Sequence, residues 1–282
     1  MTSMRPNTAL LFPGQGSHSQ GMEEPHRDHP LLRRGIELLG FDPFSDIQGG
    51  GTRSHQPALF LCSIAQWDSA HARDAEADAE PPLAALGHSL GEYAALTAAG
   101  AIAFEDAVSL VDARSQAMAG AADMQHGGMV ALLGGERDDV LALADALGLS
   151  LANDNAPGQI VLSGPMERVD EAERRADDVG ARARKLAVGG AFHSPLMEPA
   201  AEALGTALAR TAFHEPAFPV ISNGSAEPFV DPRAELAENL LKPVRFVESL
   251  HLLQDMGAEE YVECGPGQVL TGLVRRTLRV PA

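Results

Sequence analysis

Basic residues and cysteines are scarce in this sequence. Lysine and arginine number 21 against 39 aspartates and glutamates, so the formal net charge is −18. Binding to nucleic acid or to an anionic membrane needs a basic face, and we expect neither partner. The two cysteines, Cys62 and Cys264, are far apart and show no metal-site or disulfide spacing. We therefore expect two reduced thiols and no metal.

Long apolar runs are also missing. No stretch approaches the ~18 apolar residues that a membrane helix needs, and residues 1–11 lack the apolar region and cleavage site of a signal peptide. These absences predict a cytoplasmic protein. The chain has 282 residues and a hydrophobic fraction of 45%, so it can bury a substantial core.

The first half of the chain alternates apolar runs with glycine-rich turns. The run Thr8–Phe12 predicts a buried strand that stops at a Pro-Gly loop. The Ala-rich run Ala58–Ala70 predicts a helix that begins near Pro57. The run Leu83–Leu86 predicts a second strand, and Glu92–Ala99 predicts the helix after it. This order indicates an α/β domain with core strands.

Residues 126–188 follow a different pattern. They predict a strand, a helix, two strands, a helix and a strand, which is the ferredoxin-like order. The predicted elements are the strands Gly127–Leu133, Ser150–Asn153, Gln159–Ser163 and Ala183–Val188 and the helices Asp138–Leu147 and Met166–Val179. We predict a small ferredoxin-like domain (residues 126–188) inserted into a larger α/β domain (residues 1–125 and 189–282).

Ser89 is the candidate nucleophile. A sharp strand-to-helix turn can expose a serine hydroxyl, and its crowding demands small neighbours, as Gly87 and Gly91 are. The start of the helix also offers backbone N–H groups to an oxyanion, with Leu90 as the expected donor. A Gly-x-Ser-x-Gly string also arises by chance, and the motif alone leaves that alternative open.

Four motifs together resemble one family. They lie in that family's order, cover essentially the whole chain, and are similar to those of malonyl-CoA:acyl carrier protein transacylases and polyketide-synthase acyltransferase domains. The motifs are Phe-Pro-Gly-Gln-Gly-Ser (residues 12–17), Gly-His-Ser-Leu-Gly-Glu-Tyr (87–93), Gly-Ala-Phe-His-Ser (190–194) and Glu-Cys-Gly-Pro-Gly (263–267). The resemblance implies an α/β-hydrolase-like larger domain with a parallel-sheet core.

The resemblance implies roles for residues around Ser89. His193 is the implied base, which takes the serine proton and returns it to the departing thiol. A backbone carbonyl orients this histidine in the family, and Asn239 occupies the matching place, so we expect its side chain to matter less than its backbone. Gln15 is the implied second oxyanion donor, through its backbone N–H.

Five further residues are implied to bind the substrate or to line its pocket. Arg114 matches the arginine that grips the malonyl carboxylate, and a planar guanidinium suits bidentate pairing with a carboxylate. Gln56 matches a position that lines the site, and His88 and Asn155 are further candidates for lining it. Phe192 matches an aromatic position that goes with malonyl rather than methylmalonyl, since a ring leaves less room for a branch.

The function implied is a ping-pong malonyl transfer. Malonyl-CoA would acylate Ser89, and the phosphopantetheine thiol of an acyl carrier protein would then take the malonyl group. We expect a monomer with no bound cofactor. Fatty-acid and polyketide synthesis, the latter with a trans-acting enzyme, both remain open.

Two alternative functions share part of this site, and binding of the carrier protein needs a surface of its own. An acyl hydrolase of the same fold would share Ser89 and His193 but would not need Arg114, and a catalytically dead scaffold would need none of the three. Carrier proteins are acidic, so docking to a chain of net charge −18 needs a local basic patch. The candidates are two clusters: Arg182, Arg184 and Lys185, and Arg275, Arg276 and Arg279.

Overall fold

The fold is described by a computed structural model for residues 7–76 and 80–279, without the side chains of residues 73–76. The outermost residues of the larger predicted domain, 1–6 and 280–282, lie outside the described part of the chain. The strands are β1 (Thr8–Phe12), β2 (Ala84–Gly87), β3 (Gly127–Gly134), β4 (Ser150–Ala156), β5 (Gln159–Pro165), β6 (Ala181–Lys185), β7 (Val220–Ile221) and β8 (Glu260–Glu263).

Four of these strands form a parallel sheet in the order β7-β2-β1-β8. Strand β1 is central, and alternate residues point to its two faces. Leu10 and Phe12 join one apolar cluster, whereas Ala9 and Leu11 join another. Burial on both faces explains why this strand reads as a continuous apolar run. The carboxyl ends of β1, β2 and β8 meet at one edge of the sheet.

The other four strands form an antiparallel sheet in the order β4-β5-β3-β6. Val130 and Leu132 on one face of β3 pack in an apolar cluster with the two helices between these strands. Met129 and Ala131 on the other face belong to the large cluster that includes β1. An α/β fold with one parallel and one antiparallel sheet is therefore confirmed.

Helices cover both sheets. Their bounds are α1 (Pro30–Leu39), α2 (Gly51–Glu76), α3 (Gly91–Ala98), α4 (Phe104–Met124), α5 (Arg137–Leu147), α6 (Met166–Arg175), α7 (Glu198–Leu208), α8 (Pro232–Glu238), α9 (Phe246–Asp255) and α10 (Val269–Leu278). Short 3-10 helices span Glu24–His26, Ala176–Val179 and Pro195–Met197. Within the described ranges, no helix is both long and apolar enough to cross a membrane.

Two predicted elements differ most from the observed ones. Helix α2 begins six residues before Pro57, which lies inside it. Proline is favoured in the first turn, but burial of Thr52, His55 and Gln56 extends the helix backwards. Strand β6 covers Ala181–Lys185 rather than Ala183–Val188, because the N–H of Val188 turns away to the carbonyl of Leu186.

Candidate active site

Ser89 lies in the turn between β2 and α3, at the edge of the parallel sheet where the carboxyl ends of β1, β2 and β8 meet. Its φ is 52°, a left-handed conformation that costs a non-glycine residue about 1–3 kcal/mol. A Cβ on Gly87 would lie 2.0 Å from the carbonyl carbon of Gly91, and a Cβ on Gly91 would lie 2.0 Å from the carbonyl oxygen of Phe12. Both positions therefore require glycine, because the atoms in the way belong to the backbone.

Asn223 spans this turn, and the sequence analysis missed it. Its Oδ1 accepts a hydrogen bond from the backbone N–H of Ser89 at 2.6 Å, and its Nδ2 donates to the carbonyl of Gly87 at 2.6 Å. The side chain is buried. Asn223 is 134 residues away from Ser89 and follows β7, which pairs with β2. Polar residues that directly follow strands of the same sheet edge were the signal for it.

His193 reaches Ser89 from a loop that follows β6. Its Nε2 lies 2.8 Å from the Ser89 Oγ, and its Nδ1 lies 2.8 Å from the carbonyl oxygen of Asn239 and 2.9 Å from that of Lys242. Carbonyl oxygens only accept, so Nδ1 carries the proton and Nε2 is free to accept the one on the serine hydroxyl. His193 also has a left-handed backbone, with φ 57°.

The surroundings of His193 favour its neutral form. Burial and, to a smaller extent, the positive charge of Arg114 lower its pKa from 6.5 to about 4. The two carbonyls at Nδ1 oppose this shift because they stabilise the protonated ring. The imidazole is therefore neutral at pH 7, which is the state a general base requires.

Arg114 lies on α4 with its side chain buried beside the nucleophile. One guanidinium nitrogen donates to the Ser89 Oγ at 2.9 Å, and another donates to the Gln56 Oε1. Gln56 donates in turn to the Gln15 Oε1 at 3.4 Å and to the Met118 Sδ at 3.3 Å. The cation is 2% exposed and has no carboxylate within ion-pair distance among the described residues, so it suits an anionic ligand.

The two predicted oxyanion donors are backbone N–H groups. They belong to Leu90, which precedes α3, and to Gln15 in the loop after β1. Neither N–H donates a hydrogen bond to any described residue. The Gln15 side chain is anchored separately, by a 3.1 Å bond from its Nε2 to the Thr52 Oγ1. Both amides are thus available to a negatively charged oxygen.

Glu92 was predicted only as the start of a helix and as part of the motif of residues 87–93, with no role in the site. It lies in the first turn of α3 and is 3% exposed. Its Oε1 accepts the backbone N–H of Asn223 at 2.7 Å and the Nδ2 of Asn239 at 2.9 Å. The Asn239 side chain also donates to the Ser222 Oγ at 3.1 Å. The Asn239 side chain is therefore hydrogen-bonded as well as its backbone carbonyl, which contacts His193.

The remaining predicted residues lie around this centre. Phe192 is buried in the same apolar cluster as Met118 and Met129. The His88 Nε2 donates a 2.8 Å hydrogen bond to the Asn155 Oδ1, which ties the nucleophile turn to β4. In the described part of the chain, no group of three His, Cys, Asp or Glu side chains could hold a metal ion.

The first predicted basic cluster does not form one patch. Arg182 and Arg184 are exposed and lie on the face of β6 that continues the face of Ala131, towards the larger part of the molecule. Lys185 lies on the opposite face, where it pairs with Asp170 at 2.9 Å and Glu173 at 3.2 Å. Adjacent residues of a strand point to opposite sides, which separates the three.

The second predicted cluster lies at the end of α10. Arg275 and Arg276 are in the last turn of that helix, and Arg279 follows it directly. Arg276 donates to the Gln159 Oε1 at 2.8 Å.

Comparison with known proteins adds independent information. Residues 47–281 match a family model described as an acyl transferase domain. A malonyl CoA-acyl carrier protein transacylase of Bacillus subtilis is 40% identical over 96% of this chain and 90% of its own length. The polyketide biosynthesis protein ThaF of Burkholderia thailandensis is 38% identical over 96% of this chain, which spans only about a quarter of that protein (24%).

Solved structures agree with these relatives. A malonyl-CoA:acyl carrier protein transacylase from Xanthomonas oryzae superposes with a TM-score of 0.90 and 37% identity, covering 98% of this chain and 93% of that one. A malonyl-transacylase solved in complex with a type II polyketide synthase acyl-carrier protein superposes with a TM-score of 0.89 and 33% identity, covering 97% and 93%.

Proposed function

Because the chain belongs to the acyl transferase domain family, we propose that it transfers a malonyl group from malonyl-CoA, through an ester on Ser89, to the phosphopantetheine thiol of an acyl carrier protein. The relatives named as malonyl transacylases and the one solved with a carrier protein support this choice. The observation that carries it is the buried guanidinium of Arg114, 2.9 Å from the Ser89 Oγ.

The loading half-reaction uses Ser89 and His193. The Ser89 Oγ attacks the thioester carbonyl while the His193 Nε2, 2.8 Å away, accepts the hydroxyl proton. The carbonyl oxygen becomes an oxyanion, for which we propose the N–H groups of Leu90 and Gln15 as donors. When the C–S bond breaks, the imidazolium returns the proton to the coenzyme A thiolate, and a malonyl ester remains on Ser89.

Transfer to the carrier protein reverses these roles. His193 takes the proton of the phosphopantetheine thiol, the thiolate attacks the ester carbonyl, and the C–O bond to Ser89 breaks. The same proton then returns to the Ser89 Oγ, so the enzyme ends as it began. Every step needs only Ser89, His193 and backbone donors, with both thiols supplied by the substrates.

Arg114 would select the acyl group in this scheme. Its bonds to Ser89 and Gln56 leave a guanidinium fork close to the nucleophile, and a malonyl carboxylate could pair with it bidentately. That pairing would also neutralise the charge that lowers the pKa of His193, so substrate binding would strengthen the base. Acetyl-CoA has no carboxylate and would leave the buried cation unpaired, which is unfavourable.

An acyl hydrolase remains the second candidate, because it would use the same serine and histidine. The buried Arg114 argues against it, since an enzyme that clears varied acyl groups gains nothing from a carboxylate clamp. Phe192 is proposed to narrow the pocket further against α-branched acyl groups. We propose that the enzyme serves fatty-acid or polyketide synthesis, and a relative named as a polyketide biosynthesis protein supports the second pathway.

We also propose that the two sheets form separate domains. The order β4-β5-β3-β6 with α5 and α6 on one face supports a ferredoxin-like domain over residues 126–188. The parallel sheet, with its strand–Ser89–helix turn, supports an α/β-hydrolase-like larger domain.

For carrier-protein docking we propose the exposed Arg182 and Arg184, which lie on the face of β6 away from α6. We further propose that the protein acts as a cytoplasmic monomer.

The test is direct observation of the ester. Incubation of the protein with malonyl-CoA should add one malonyl group to Ser89, as shown by peptide mapping with mass spectrometry, and a holo carrier protein should then remove it. Ser89→Ala should show no adduct, while Ser109→Ala, on the exposed side of α4, should load like the wild type. An adduct at another residue, or transfer without an adduct, would contradict the proposal.

A further inference from the structure

The two catalytic side chains are held by residues that meet at one carboxyl group. Asn223 holds the turn of Ser89, since it bonds the backbone of Ser89 and Gly87. Asn239 holds His193, since its carbonyl oxygen accepts the Nδ1 proton. Both asparagines donate to the same oxygen, the Glu92 Oε1, at 2.7 and 2.9 Å. A chain of hydrogen bonds therefore runs from the nucleophile to the base through Glu92.

Burial makes this series of hydrogen bonds difficult to replace with bonds to water. Glu92, Asn223 and Asn239 are exposed by 3%, 1% and 4%, so water cannot replace a lost bond. Removal of a buried acceptor leaves its donors unsatisfied, which is unfavourable and favours movement of the groups that carry them. Those groups are the backbone after β7 and the end of α8, and the two catalytic residues depend on them.

Helix-terminal electrostatics alone would not explain this arrangement. An acidic residue in the first turn of a helix is favoured by the helix dipole whether or not its side chain touches anything, and such residues are usually exposed. The Glu92 side chain instead points inward and reaches donors that are 131 and 147 residues away in sequence. Both of these donors belong to residues that also contact the catalytic pair.

We propose that Glu92 is a positioning residue that holds the Ser89 turn, through Asn223, and the His193 orienting carbonyl, through Asn239, in one fixed frame. This inference rests on the proposed function. It requires an acceptor oxygen at position 92 rather than a negative charge, because both observed bonds end on the same oxygen. Burial also raises the pKa of Glu92 to about 8, which agrees with a neutral carboxyl group acting as the acceptor.

The acceptor requirement makes glutamine the diagnostic replacement. In Glu92→Gln, the amide Oε1 can still accept from Asn223 and Asn239, so kcat for malonyl loading should stay within about threefold of the wild type. In Glu92→Ala the Asn223 N–H loses its acceptor, and the Asn239 Nδ2 keeps only its bond to the Ser222 Oγ. Because small displacements of reacting groups can cost ~100-fold in rate, we expect kcat to fall by about that factor, with KM for malonyl-CoA changing less than threefold.

Two further variants separate positioning from general destabilisation. Glu235 also accepts two backbone N–H bonds, from Val230 and Asp231, but these lie outside the site, so Glu235→Ala should change kcat less than about twofold. Asn239→Ala keeps the carbonyl that orients His193 but removes the link to Glu92. It should lower kcat roughly tenfold with KM little changed, by the same loss of alignment.

The experiment measures single-turnover loading of Ser89 from malonyl-CoA, corrected for the folded fraction by circular dichroism. Failure of the wild type to load would refute the proposed function and not this inference. A wild type that loads beside a Glu92→Ala variant of equal kcat would overturn the inference. So would a Glu92→Gln variant as slow as Glu92→Ala, or a Glu235→Ala variant equally slow. If Glu92→Ala does not fold, Asn239→Ala decides, and a wild-type rate there overturns the inference.

Discussion

The turn that carries Ser89 and the loop that carries His193 have the same left-handed backbone conformation but obtain it differently. The Ser89 turn takes its shape mainly from local elements, namely β2, Gly87, Gly91 and α3 within residues 84–98, and the distant Asn223 adds hydrogen bonds across it. The His193 loop is held by carbonyls 46 and 49 residues further along the chain. A nucleophile needs an exposed hydroxyl on a tight turn, which neighbours can supply. A histidine base needs an acceptor for the proton on its other ring nitrogen, and here the carbonyls of distant residues accept it.

The largest effect should come from removing the base. His193→Ala should slow Ser89 loading by about 10²–10⁴-fold, the usual contribution of general base catalysis. The rate of adduct formation from malonyl-CoA, followed by mass spectrometry, measures it. His251→Ala is a matched control, because His251 is an exposed histidine on α9, and it should load normally. A wild-type rate in His193→Ala would show that the long-range loop does not supply the base.

The pH profile sharpens the same prediction. The folded-state pKa of His193 is lowered from 6.5 to about 4, so the ring stays neutral as pH falls through 6 and 5. Loading by the free enzyme should therefore be nearly flat from pH 7 to 5 and should fall only as pH approaches 4. A loss of kcat/KM centred near pH 6.5 would mean that the buried, carbonyl-capped environment does not control this histidine.

An intermediate effect is expected for Arg114, which links the two regions from α4. A charge-assisted hydrogen bond contributes about 1.5–3 kcal/mol, so Arg114→Ala should slow malonyl loading roughly ten- to over a hundredfold. Acetyl loading should be spared or improved, and the serine ester should hydrolyse faster because water gains room. The ratio of malonyl to acetyl loading rates decides the question. An unchanged ratio would indicate a structural arginine and favour the hydrolase.

The smallest effect is expected outside the site, on the strand that precedes the His193 loop. The double variant Arg182→Glu and Arg184→Glu should slow transfer to an acidic carrier protein by several-fold at low salt, and less at high salt, because surface charges mainly affect association. Loading from malonyl-CoA should not change. Lys185→Glu is the control, since Lys185 already pairs with Asp170 and Glu173 on the other face. Equal losses in all variants would refute this docking surface.

The sequence predicted the elements whose determinants are local. Strand β1 was predicted from its apolar run with its observed bounds Thr8–Phe12, and the Ser89 turn was predicted from its two glycines. The family resemblance then supplied His193, Arg114 and Gln56, and the structure brings all three to Ser89 or its neighbours. Short motifs can indicate such elements and residues because they encode backbone shape and chemistry together.

The tertiary structure alone decided which distant groups complete the site. Nothing near Asn223 or Glu92 in the sequence indicates that they meet, because their contact depends on β7 lying beside β2. The side of β6 on which Lys185 lies depends on register, since a shift of one residue moves a side chain to the other face. The low pKa of His193 likewise arises from burial beside Arg114. The sequence by itself determines the motifs, whereas strand pairing and burial determine which of their side chains come into contact and how those contacts change their pKa values.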